Sequence, residues 1–256
     1  MKVIVAGCAG RMGGEVCRLV AEQADMQLVG GIEVKGHPSV GTKLGSGVVG
    51  TDLSAMIADA TTIVDFSTAE ATVAHCRLAA LAGKRLITGV TGLSAAQANV
   101  LEDCGHRIPI VYASNFSVGV SVLCTLVAEA ASRLGPDYDV EVIETHHRMK
   151  KDAPSGTAAR LVDILTAGAG RARVVHGRQG MVGEKPKYEI GVSSIRTGGV
   201  VGEHTVVFGC TGERLELTHK AESRAAMATG VVAAVRFVKG RAPGFYTIED
   251  VLASPR

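Results

Sequence analysis

The most informative stretch of this 256-residue chain is Glu141–Ala158, EVIETHHRMKKDAPSGTA. Two histidines, His146 and His147, can each exchange a proton near neutral pH, and Lys150 supplies a full positive charge nearby. Pro154 and Ser155 suit a helix start, with Ser155 as N-cap. The backbone N–H groups of Gly156 and Thr157 then form an anion site suited to a carboxylate. Within about a dozen residues the chain thus offers carboxylate binding and general acid chemistry. Adjacent histidines on a strand point oppositely, and neither has a Cys or carboxylate at ligand spacing, so no metal is expected. A helix cap with solvated histidines and lysines is the competing reading, with Asp152 only stabilising the helix start. Ser155 lacks the strand-to-helix elbow of a hydrolase serine.

A second constellation lies near the N-terminus. Gly7-Cys8-Ala9-Gly10-Arg11-Met12-Gly13 follows an apolar run and opens a helical pattern, the setting in which backbone N–H groups and a helix dipole meet a dinucleotide pyrophosphate. The spacing is Gly-x-x-Gly-x-x-Gly, which by itself also fits a plain tight turn. Glu33 ends the next strand, where a carboxylate can accept from the adenosine ribose. Its charge would repel a 2′-phosphate and so slightly favours NADH over NADPH, although Lys35 and Arg11 lie close enough in sequence to counter it. Gly89-Val90-Thr91-Gly92 and Ser114-Asn115-Phe116-Ser117 each follow a strand and are expected to flank the nicotinamide.

The elements that must position these groups follow from periodicity. Short apolar runs at Lys2–Ala6, Gln27–Ile32, Thr62–Asp65, Arg85–Thr88 and Ile108–Ala113 read as buried parallel strands. Between them, Met12–Ala24, Thr68–Ala82 and Ser94–Cys104 carry apolar residues three and four apart, as helices do. This is a Rossmann-like, doubly wound α/β half. After a helix at Val118–Leu134, stopped by Gly135-Pro136, Tyr138–Thr145 alternates as a half-exposed strand would. A helix near Thr157–Ala167 and strands at Glu189–Arg196, Thr205–Gly209 and Leu215–His219 then imply a smaller α+β domain with a mixed or antiparallel sheet. Arg224–Val238 is helical again and can return to the first domain. The expected division is 1–117 with 227–256, and 118–226.

Composition bounds the partners. With 27 Lys plus Arg against 25 Asp plus Glu and a net charge of +2, no run of like charge suggests a polyanion-binding arm, and with no tryptophan and few aromatics base stacking has little to work with, which argues against nucleic acid. Six scattered cysteines without a Cys-x-x-Cys pair fit reduced cytosolic thiols. Met1–Ala6 is too short for a signal peptide, and no stretch is read as reaching membrane-spanning length. The partner is expected to be a small molecule.

Taken together the motifs resemble the dihydrodipicolinate reductase family from end to end. The resemblance rests on Gly7–Gly13, Asp65-Phe66-Ser67, Gly89–Gly92, Asn115–Val120 and Glu144-x-His-His-x-x-Lys-x-Asp-Ala-Pro-Ser-Gly-Thr157. It continues through Arg196–His204, Gly212–Lys220 and Gly244–Leu252. It implies a cytoplasmic homotetramer of the lysine and diaminopimelate route, reducing a cyclic imine dicarboxylate with NADH or NADPH to tetrahydrodipicolinate. In the implied roles His146 is proton donor or acceptor and Lys150 proton donor, while His147, Ser155, Gly156 and Thr157 bind substrate carboxylate. Val90 stands where the family commonly has threonine, and Val34 where NADP-accepting members often have arginine. Another Rossmann imine reductase or amino-acid dehydrogenase, and a non-catalytic nicotinamide-binding sensor, stay open as alternatives.

Overall fold

The computed structural model describes residues 1–169 and 173–254. The chain starts with β1 (Lys2–Ala6), in which Val3, Ile4, Val5 and Ala6 are all fully buried, as a strand covered on both faces must be. Helix α1 (Arg11–Ala21) buries Val16, Cys17 and Val20, a stripe at spacings of one, three and four. Strand β2 (Gln27–Ile32) pairs parallel to β1. A small hairpin follows, β3 (Lys43–Leu44) and β4 (Gly47–Gly50), which hydrophobic periodicity does not anticipate. Then come β5 (Thr62–Asp65), α2 (Ala69–Leu81), β6 (Arg85–Thr88), α3 (Ala95–Gly105) and β7 (Pro109–Tyr112). The helix starts are locally coded: Thr68 accepts the Ala71 N–H, and Ser94 with Gln97 forms a capping box.

A second compact unit, Gly119–Ser223, holds most of α4 (Val118–Leu134), β8 (Asp139–His146), α5 (Gly156–Ala169), β9 (Arg173–His176), β10 (Glu189–Arg196), β11 (Gly202–Cys210) and β12 (Glu213–Ala221). Its five-stranded sheet has the order β12-β11-β8-β10-β9. β9, β10 and β8 run parallel, and β11 is antiparallel to β8 and β12, giving the mixed sheet. Leu123 and Val127 of α4 with Leu161 and Leu165 of α5 cover one face, against Val142, Val206 and Phe208. That buried face continues along β8 and β11 into polar residues, Glu144, His146 and His204.

The chain then returns to the first unit, Met1–Val118 with Arg224–Arg256, through α6 (Ala225–Phe237), β13 (Gly244–Tyr246) and α7 (Ile248–Ala253). Strand β13 pairs parallel to β7, and the sheet order is β13-β7-β6-β5-β1-β2-β4-β3. The α/β class with a doubly wound, largely parallel sheet is as expected. The order reverses between β1 and β5, so the crevice beyond the carboxyl ends of those strands is where such sheets bind ligands.

Helix α4 differs from the expectation that no stretch reaches membrane-spanning length. Val118–Asp137 is long and apolar enough to cross a membrane by length and composition. Its Leu123, Cys124 and Val127 lie buried in the core of the second unit, so part of its apolar character serves packing.

Candidate active site

In the first unit the glycine loop is built by close backbone approach. Gly7 has φ +70, and a Cβ there would sit 2.6 Å from the Phe66 carbonyl oxygen. A Cβ on Gly13 would sit 2.0 Å from the Gly7 carbonyl oxygen, so glycine is what lets α1 begin directly against the loop. Gly10 is the N-cap of α1 and offers no side-chain cap, leaving the helix N-terminus to other partners. Arg11 is exposed there, and Met12 packs against the core. Glu33 Oε1 accepts the Ala9 N–H at 2.8 Å, so loop and acid meet as the spacing implies. Neither Lys35, which is exposed, nor Arg11 is ion-paired with Glu33 among the described residues. Burial, and then the Glu33 charge, push the Cys8 thiol up to about 11, so it stays a neutral packing group.

The loops after β6 and β7 meet through Phe66. Its ring fills the space where a Gly89 side chain would project and stands edge-on to Phe116 at 6.1 Å. Val90 is buried and its N–H donates to Thr88 Oγ1 at 3.3 Å; Thr91 and Ser114 are exposed. Asn115 Oδ1 accepts the Ser117 N–H at 2.8 Å.

In the second unit a cluster forms where β8, β10 and β11 lie side by side. Glu144 and His146 are two apart on β8 and share its buried face. Register puts Arg196 of β10 opposite His146 and His204 of β11 opposite Glu144. Glu144 is wholly buried and takes both terminal guanidinium nitrogens of Arg196, at 2.8 and 2.7 Å. It also binds His146 Nδ1 at 2.5 Å and accepts the Ser155 N–H at 3.2 Å. Ser155 caps α5 by accepting the Ala158 N–H at 3.2 Å, and its Oγ shares a hydrogen bond with His204 Nε2 at 3.0 Å. His204 and His146 stack edge to face at 5.2 Å.

Lys150 closes a turn, its N–H donating to the His147 carbonyl at 3.1 Å, and its Nζ pairs with Asp152 Oδ1 at 2.9 Å. Asp152 therefore does not cap α5. It engages Lys150 through its side chain and Arg196 through its carbonyl, at 2.6 Å. His147 Nδ1 is buried with no hydrogen-bond partner among the described residues. Gly156 is exposed and Thr157 buried at the start of α5.

The electrostatics follow from this packing. Burial alone would raise the Glu144 carboxyl, but hydrogen bonds from Arg196, then from His146 and Ser194, carry it down to about 2. It is a fixed anion. Burial pushes the His146 imidazole down, Glu144 opposes this, and the charges of Lys150 and Arg196 add to the lowering. With Nδ1 committed to Glu144, the opposite ring nitrogen, Nε2, is the one able to take up or give a proton. His204 is held down to about 4, mainly by burial and then by the His146 charge, and so is neutral at pH 7. Among the described residues no group of three or more His, Cys, Asp or Glu is placed to hold a metal ion.

Both halves of the chain match one family. The model described as "Dihydrodipicolinate reductase, N-terminus" covers residues 1–116, and that described as "Dihydrodipicolinate reductase, C-terminus" covers 119–252. The chain belongs to the dihydrodipicolinate reductase family. Among its relatives, the 4-hydroxy-tetrahydrodipicolinate reductase of Myxococcus xanthus (strain DK1622) is 43% identical over 268 residues, covering 100% of this chain and 99% of that one. The 4-hydroxy-tetrahydrodipicolinate reductase of Syntrophus aciditrophicus (strain SB) is 42% identical, covering 98% of each. A dipicolinate-bound dihydrodipicolinate reductase from Paenisporosarcina sp. TG-14 shares the fold with a TM-score of 0.80, at 23% identity over 96% of this chain and 97% of that one.

Within this dihydrodipicolinate reductase chain, Glu144, Arg196 and His204 carry the geometry of the cluster, yet sequence reasoning gave them no role. The two-residue alternation of β8 is the local signal that would have set Glu144 beside His146. No local signal connects Arg196 to Glu144, 52 residues apart, because strand register makes that contact.

Proposed function

We propose that this protein reduces a cyclic, unsaturated imine dicarboxylate of the dihydrodipicolinate type to tetrahydrodipicolinate, as a cytoplasmic homotetramer of the diaminopimelate and lysine route. The observation that carries the reading, together with family membership, is His146: a nearly buried imidazole bonded through Nδ1 to an ionised Glu144, on a cluster that includes the helix start at Ser155. The first unit fits a dinucleotide because Gly7, Gly10 and Gly13 leave a cradle that side chains would fill, at a helix N-terminus without a side-chain cap. NADH or NADPH, when bound, supplies the hydride. Glu33 slightly favours NADH, since among the described residues no cation is ion-paired with its carboxylate to offset repulsion of a 2′-phosphate.

In this mechanism Gly156, Thr157 and His147 hold a substrate carboxylate, and Lys150 supplies the matching positive charge. Addition of hydride to the conjugated ring builds negative charge on an enamine. The Lys150 ammonium or a protonated His146 lowers that barrier and delivers the proton to ring carbon, an effect typically worth ~10²–10⁴-fold. Glu144 fixes the His146 ring and its tautomer, and Arg196 keeps Glu144 ionised.

Incubating the protein with freshly made synthase product and either NADH or NADPH tests this directly. The reading expects loss of cofactor absorbance. Folded protein that oxidises neither cofactor sinks it. Turnover confined to monocarboxylate imines would favour another imine reductase, and cofactor binding without any turnover would favour a sensor.

A further inference from the structure

A buried polar pair in the first unit takes no part in the chemistry above. Asp65, the last residue of β5, is wholly buried, yet both of its carboxylate oxygens are hydrogen-bonded. Oδ1 accepts the Ser67 N–H at 2.8 Å and the Ser67 hydroxyl at 2.5 Å, while Oδ2 binds His75 Nδ1 of α2 at 2.8 Å. Burying a carboxylate and an imidazole is costly until such bonds offset it, and an apolar pair often fills the same space at less cost. Core packing alone does not account for this choice of residues.

What the pair controls is the turn at Phe66–Ser67. Strand β5 lies between β1 and β6, beside the reversal of strand order. The Phe66 N–H donates to the Ala6 carbonyl at 3.0 Å, and the Gly89 N–H donates to the Asp65 carbonyl at 3.1 Å. The Phe66 carbonyl closes on Gly7, and its ring occupies the space beside Gly89 and meets Phe116. One residue therefore braces the glycine loop, the Gly89 loop and the Phe116 loop together.

We infer that Asp65, locked by His75, is a positioning residue for the nicotinamide cofactor: it holds the Phe66–Ser67 turn so that Phe66 keeps the three cofactor loops at their working spacing. This rests on the reading that those loops bind NADH or NADPH. Groups that must be held within fractions of an ångström are commonly supported by just such a locked polar contact one layer behind.

The test compares wild type, Asp65→Ala, Asp65→Asn, His75→Gln and Ser67→Ala by calorimetric titration with NADH and NADPH, by steady-state kinetics, and by thermal melting. Asp65→Ala is expected to weaken cofactor binding on the order of tenfold, the loss typical of removing a charge-assisted hydrogen bond. The imine KM, and kcat at saturating cofactor, should stay near wild type. Asp65→Asn keeps an oxygen for Ser67 and should recover much of the affinity. A folded Asp65→Ala protein with wild-type cofactor affinity overturns the inference, as does a fall in kcat matched only by loss of folded protein. If Asp65→Ala does not fold, Ser67→Ala and His75→Gln decide: weakened cofactor binding in both supports it, and unchanged binding in both, or in either, overturns it. Wild-type protein that binds neither cofactor would instead overturn the functional reading.

Discussion

Arg196 meets Glu144 through two parallel hydrogen bonds, of 2.8 and 2.7 Å, to a carboxylate that no solvent reaches. The guanidinium fork makes this possible, since a lysine ammonium would reach one oxygen only. Glu144 in turn holds His146 and the Ser155 N–H, so one ion pair sets both the proton-transferring ring and the helix start.

Removing Arg196 should therefore cost far more than a surface ion pair would. Arg196→Met leaves a buried carboxylate without its cation, a change typically worth ~3–5 kcal/mol. Urea denaturation should show that loss, and Arg196→Met combined with Glu144→Leu should recover part of it. Recovery of none would mean that Glu144 is not the partner that matters.

Acid should destabilise the protein over two windows. His204 titrates at about 4 when folded against an ordinary 6.5, so the unfolded chain takes up the proton first, and stability falls as pH drops from 6.5 to about 4. Glu144 titrates at about 2 against 4.5, so its stabilisation is complete above 4.5 and lost as pH falls through about 2. Each shift amounts to at most ~3–4 kcal/mol. Melting temperature against pH should show both, and His204→Gln should shrink only the upper window, leaving the part that His146 and His219, also pushed down by burial, contribute.

His146→Gln and Lys150→Met should lower kcat by ~10²–10⁴-fold, in line with loss of general acid–base help. Neither lies in the unit that holds the cofactor loops. Dissociation constants for NADH and NADPH, read by titration, should therefore stay close to wild type.

Two neighbouring glycines should answer the same substitution in opposite ways. A Cβ at Gly13 collides with the Gly7 carbonyl at 2.0 Å, whereas one at Gly14 meets the Cys8 carbonyl at an ordinary 3.6 Å. Gly13→Ala is expected to weaken cofactor binding by at least about tenfold. Gly14→Ala should bind normally and gain ~0.5–1 kcal/mol from the lost flexibility of a helical glycine. Titration and melting on the pair would check both.

Cofactor choice should depend on Glu33. Glu33→Gln removes the charge while keeping an oxygen for the Ala9 N–H, now at 2.8 Å. The ratio of kcat/KM for NADH to that for NADPH should fall by about tenfold, roughly the worth of one unfavourable charge contact near a phosphate. An unchanged ratio would mean that Glu33 serves the loop alone.

By itself the sequence determined what travels along a short stretch of chain. Val3–Ala6 announced a strand buried on both faces because every residue in it is apolar, and Thr68–Ala82 and Ser94–Cys104 read as helices because their apolar residues recur three and four apart. His146, Lys150 and Ser155 were legible as a site since they lie within ten residues. The β3–β4 hairpin and β13 were not, being two to four residues long and partly glycine, too short to show a period. Only the tertiary structure brought Arg196 and His204 to Glu144, and Phe66 to Gly7, Gly89 and Phe116. Those contacts are decided by strand register and sheet order, which depend on the packing of whole elements and leave no mark in the neighbouring residues.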